Sequence, residues 1–132
     1  MSRAPVILAS CLVALTAAGC GASNDRDQAR AAVEKVYASA DRHDGAAACA
    51  QLSPALRAQL VDDEGAPCPR AVLRLHLRGQ RPATVRVYAD AAEVRLAGGD
   101  TVFLGDTREG WRVEALGCRP HGPGPYACEA QA

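Results

Sequence analysis

The sequence predicts an α+β fold: N-terminal helices packed on an antiparallel sheet of about four strands, preceded by a signal segment. Three observations predict it. Apolar residues recur with a helical period between Asp25 and His43, the period changes to two from Arg81 onward, and the stretch from Ala4 to Gly19 carries no charge. Helices first and strands afterwards give α+β rather than alternating α/β.

The start of the chain reads as an address. Met1-Ser2-Arg3 is short and basic, and the apolar run behind it falls just below the roughly 20 residues of a membrane-crossing helix. It ends in Leu15-Thr16-Ala17-Ala18-Gly19-Cys20, which resembles a bacterial lipobox, with Ala17 where many carry Leu. On that resemblance residues 1–19 are a signal peptide, and Cys20 receives a diacylglycerol and becomes the mature N-terminus. An ordinary signal peptide and an uncleaved anchor helix are the rival readings. All three place the domain outside the cytoplasm. Residues 20–25, small and polar, read as the lipidated cysteine and a short tether, leaving 26–132 as one α+β domain.

In the first helix, Ala29, Ala32, Val33, Val36, Tyr37 and Ala40 form one stripe, with Arg30, Glu34 and Lys35 off it. Asn24 or Asp25 can cap its start. Asp44-Gly45 is a turn, and Ala46 to Leu52 is a second helix. Ser53-Pro54 supplies an N-cap and a first-turn proline for a third, which ends at Asp62-Asp63-Glu64-Gly65. Cys68-Pro69 opens a further helix to about Leu77, although Leu73-Arg74-Leu75-His76-Leu77 also alternates as a strand would. Strands follow at Val85–Tyr88, Ala92–Leu96, Thr101–Leu104 and Trp111–Ala115, joined by short polar turns as in a meander. The Pro/Gly-rich tail from Cys118 to Ala132 reads as a stapled loop.

Six cysteines are present; Cys11 leaves with the signal and Cys20 takes the lipid. Cys49, Cys68, Cys118 and Cys128 remain, an even number in an exported domain, and are expected to pair. Three pairings exist; Cys49–Cys68 with Cys118–Cys128 is the most local. A zinc site built from all four thiolates, or a redox pair, would show closer spacing, such as C-x-x-C.

Acids and bases balance at 15 each, and no basic stretch supports nucleic-acid binding. Aromatics are 4% of the chain, so Leu, Val and Ala must fill a modest core. The Ala/Arg bias, with Lys35 the only lysine, suggests a high-GC bacterial genome.

Three segments together resemble a known family: the first helix with Tyr37 followed by Cys49-Ala50-Gln51-Leu52-Ser53-Pro54-Ala55-Leu56-Arg57; Cys68-Pro69-Arg70-Ala71-Val72; and the meander ending Glu109-Gly110-Trp111-Arg112-Val113. They are similar to small actinobacterial lipoproteins of the nuclear transport factor 2-like superfamily, over roughly Arg26 to Leu116. The resemblance implies helices in the concavity of a curved sheet, a cone with a pocket. That fold serves isomerases, dehydratases, transport factors and binding domains, so it implies no single activity.

Within such a cone Tyr37 and Asp41, four apart on the first helix, are the candidate acid/base pair, and Trp111 a candidate pocket wall. Each also has a structural reading: Tyr37 in the core with its hydroxyl at the edge, Asp41 solvated, Trp111 in the core. His43, His76 and His121 show no metal spacing, and Gly98-Gly99-Asp100 is a hairpin turn rather than a phosphate loop. Arg70, Arg74 and Arg78, with Arg81 beyond, could meet lipid headgroups or simply face water.

The expected function is therefore that of a membrane-anchored extracytoplasmic lipoprotein. It binds an apolar small molecule or an envelope protein without catalysis, cofactor or metal. The alternatives are an isomerase or dehydratase using Tyr37 and Asp41, and an accessory subunit docked on an envelope complex.

Overall fold

The computed structural model describes residues 20–77 and 79–132. The expected signal segment, residues 1–19, and Arg78 lie outside the described residues.

Helix α1 runs Cys20–Asp41. Its buried face is the expected stripe, with Ala29, Ala32, Val33, Val36 and Tyr37 all in the core. It starts earlier than its apolar pattern. Residues 21–25, read as a tether, are instead helix continuous with the rest of α1, exposed from Gly21 to Asn24 and half-buried at Asp25. Once packing fixes the helix from Asp25 on, each further turn adds hydrogen bonds without a new nucleus. The helix closes at His43, whose φ of 56° reverses the chain, and the Asp44 N–H donates back to the Ser39 carbonyl.

Helix α2 is Gly45–Cys49, capped by Asp44, whose carboxylate accepts from the Ala47 N–H. It is shorter than expected because Gln51 and Leu52 leave it for the sheet: the Val113 N–H donates to the Gln51 carbonyl, and the Ser53 N–H to the Val113 carbonyl. Helix α3, Pro54–Glu64, has the expected Ser53 N-cap and ends on Gly65 in the left-handed region. Helix α4, Cys68–Ala71, continues as a 3₁₀ turn, Val72–Arg74. The helix expected to reach Leu77 stops there: Leu75 is extended, and the His76 N–H donates to Glu129. Leu75 and Leu77 instead pack against the core edge.

Five antiparallel strands follow in sequence order: β1 Pro82–Tyr88, β2 Ala91–Leu96, β3 Thr101–Thr107, β4 Gly110–Cys118 and β5 Ala130–Gln131. The four-strand meander stands as expected. The tail differs. Arg119 and Ala127 exchange two backbone hydrogen bonds, and β5 pairs with Ala115 and Leu116, so the chain's end closes one sheet edge. Pro120, Pro123 and Pro125 confine the loop between those pairs.

One face of the sheet carries the core. Ala92 and Val94 lie opposite Leu104 and Val102, and Leu104 lies opposite Val113. Against this layer α1 places Val33 and Val36, α3 places Leu56, and the link between α2 and α3 places Leu52, all fully buried. The other face is partly covered by the tail, where Tyr126 meets Phe103 edge-to-face with centroids 5.1 Å apart. Irregular register around Phe103 marks bulges between β3 and β4, which bend a strand.

Both disulfides are the local ones. Cys49–Cys68 ties α2 to α4, and Cys118–Cys128 closes the tail against the end of β4. The first shares its place with a close approach: a Cβ on Gly45 would run into the Pro69 carbonyl. Only glycine lets α2 and α4 meet there.

Candidate functional site

Tyr37 and Asp41 lie one turn apart on α1, and both border a single recess. Its other walls are Glu34 from the same helix and Gly79, Gln80, Arg81 and Pro82 from the approach to β1; it encloses about 530 Å³ and is open to solvent. The rim is polar and carries both signs of charge. Asp41 lies beside Gly79, where a Cβ would come within 3.2 Å of Oδ2.

Tyr37 belongs to the apolar stripe and is 2% exposed. Its hydroxyl is buried without a hydrogen-bond partner, and so is the Gln80 Oε1. Both orphaned atoms belong to residues of this one recess. Gln80 is oriented from below: its Nε2 donates to Asp100 Oδ2 at 2.8 Å, and Arg119 Nε donates to Asp100 Oδ1 at 2.7 Å. Asp100 is 4% exposed, and its cation comes from the tail. Burial first, and then the Asp100 and Glu129 carboxylates, push the Tyr37 phenol above its ordinary value. Tyr37 is therefore a protonated donor, never a base, at neutral pH.

Trp111 is not in this recess. It is buried at the start of β4, and its Nε1 donates to Asp25 Oδ1 at 3.4 Å near the beginning of α1. It borders a separate hollow of about 230 Å³ with Gln28, Lys35, Gln51 and Arg112. The expected juxtaposition of Tyr37, Asp41 and Trp111 thus resolves into two places on α1.

A third recess of about 540 Å³ lies between Gln59 and Asp63 of α3 and the last residues of the tail. His76 faces Glu129 at 3.4 Å on the surface. Among the described residues no group of three or more His, Cys, Asp or Glu is placed to hold a metal ion. The arginine row does not continue as a helix face, because the helix ends at Arg74, whose guanidinium donates to the Glu64 carbonyl. Among the described residues no helix is long and apolar enough to cross a membrane.

Gln80 and Asp100 are the residues sequence reasoning missed. Asp100 follows two glycines and reads as an exposed turn; the folded-back tail buries it, and nothing local announces that. The space between helices and sheet is occupied by Tyr37, Leu52, Leu56, Val94, Leu104 and Val113.

Comparison with protein-family models, curated proteins and solved structures finds no match for this chain.

Proposed function

We propose that this chain is a lipid-anchored extracytoplasmic domain that binds a partner protein through the recess on α1. The observation that carries the reading is the contrast between interior and rim. Leu52, Leu56, Val94, Leu104 and Val113 fill the space between helices and sheet, while the recess by Tyr37 is open and edged by Glu34, Asp41, Gln80 and Arg81. A carrier of apolar compounds needs an apolar hollow; a mixed-charge, solvent-open rim suits a protein surface. The two disulfides support an extracytoplasmic setting, and the lipobox-like run before Cys20 supports the anchor. The order of elements, helices then an antiparallel meander, supports kinship with the nuclear transport factor 2-like superfamily.

A second reading has one observation in its favour: Tyr37 and Asp41 border the same recess. As an enzyme the chain would use the Tyr37 hydroxyl as proton donor and Asp41 as base. The hydroxyl is sealed from solvent, which favours binding over catalysis.

Native mass spectrometry of the processed chain, made in an oxidising compartment, tests the proposal. The expected result is the mass deficit of two disulfides with no small molecule retained. An apolar compound carried through purification would overturn partner binding in favour of ligand carriage.

A further inference from the structure

We infer that the end of the sheet bearing the Tyr88 turn and the β3–β4 turn rests on the membrane, with Tyr88 entering the lipid headgroup layer. This rests on the lipid anchor at Cys20 proposed above. The added observation is that α1 already includes Cys20, so among the described residues no loop separates it from the domain.

A helix rises 1.5 Å per residue, so Asp25 stands about 8 Å from Cys20 along the axis. The headgroup layer of one leaflet is itself roughly 5–8 Å thick. Asp25 is held to the sheet through Trp111 Nε1. Trp111 pairs with Asp106, and the Asp106 N–H donates to the Asp90 carbonyl at 2.7 Å. Asp90 belongs to the turn joining Tyr88 to Ala91, the last pair of β1 and β2. A continuous set of contacts thus carries the position of the anchor to the Tyr88 turn. Tyr88, at 54%, is the most exposed of the large apolar side chains among the described residues. Tyrosine is enriched at membrane interfaces, where the ring is half solvated and the hydroxyl stays wet.

Charge does not drive this contact. Arg26, Arg86 and Arg108 at this end are matched by Asp27, Asp90, Asp106 and Glu109, all exposed. The surface has no excess of bases to attract anionic lipid. The contact should therefore form on zwitterionic phosphatidylcholine.

The test uses the full chain, lipidated in a bacterial host and reconstituted into phosphatidylcholine vesicles. Benzoylphenylalanine replaces either Tyr88 or Ala97, an exposed residue in the β2–β3 turn at the opposite end. Flotation reads anchoring, and mass spectrometry after illumination reads phospholipid adducts. The expected result is flotation with both substitutions and an adduct at position 88 alone. Flotation with an adduct at 97, or none at 88, overturns the orientation and leaves the anchor standing. Failure to float overturns the anchor itself.

Discussion

Replacing Tyr37 by Phe removes one atom whose burial the fold does not compensate. The Tyr37 hydroxyl has no hydrogen-bond partner and is sealed from solvent. Leaving a buried polar group unsatisfied costs about 1–3 kcal/mol, so Tyr37→Phe should stabilise the domain by up to that amount. For a domain of this size that is roughly 4 °C in Tm per kcal/mol, a rise of about 4–12 °C. A second signature lies in alkaline solution. The folded phenol holds its proton above the ordinary value of 10.0, while the unfolded chain releases it there. Above about pH 10 the unfolded state binds fewer protons than the folded one, so wild-type stability falls as pH rises. The slope approaches about 1.4 kcal/mol per pH unit, and Tyr37→Phe should lack that contribution. Urea denaturation of both proteins at neutral pH and above pH 10 measures the two effects. A loss of more than about 1 kcal/mol at neutral pH would refute the reasoning. It would mean that the hydroxyl holds a partner, such as an ordered water bridging it to Gln80.

The double variant Cys49→Ser/Cys68→Ser should lose about 3 kcal/mol by chain entropy for a separation of 19 residues, read by calorimetry. Its single variant Cys49→Ser should make Cys68 open to alkylation under denaturing conditions; a Cys68 still blocked would contradict the pairing. Gly45→Ala forces a methyl against the Pro69 carbonyl and should cost at least about 2 kcal/mol in a denaturant titration. Cys20→Ala should move the protein from the membrane fraction to the medium, as followed by immunoblot; unchanged retention would sink the anchor.

Much of the fold was legible in the sequence because its signals are local. The stripe from Ala29 to Tyr37, the Ser53-Pro54 start and the alternation in β2 each report one element's own burial. Element ends were less legible where a distant partner decides them. Leu52 reads as helix by composition, yet the backbone beside it bonds to Val113, and Glu129 takes the His76 N–H that a longer α4 would have kept. The tail is the clearest case. Its prolines and glycines announce a loop, while β5 exists only because Ala115 and Leu116 offer an edge. For the candidate site, helical spacing sufficed to place Tyr37 and Asp41 together. It could not show that Gln80 is turned toward Asp100, or that Trp111 of β4 packs beside the start of α1, since both depend on chain returning from far away.

Helix α1, which includes the proposed anchor residue Cys20, also carries the recess, and this links the two surfaces. Tyr37 lies seventeen residues beyond Cys20 on an uninterrupted α1, about 25 Å along its axis. If the Cys20 end meets the headgroups, the recess lies toward the other end of α1 from them. A free tether would let the domain tumble and present any face. A helix continuous with the anchor restricts that freedom and keeps one end outward. A partner embedded in the same membrane would have to rise that far to reach Glu34, Asp41 and Arg81. Under the proposed anchoring, a partner of this recess would present a surface that stands clear of the bilayer, and the tail, stapled by Cys118–Cys128 and holding Asp100 through Arg119, keeps the Gln80 wall of that recess in place.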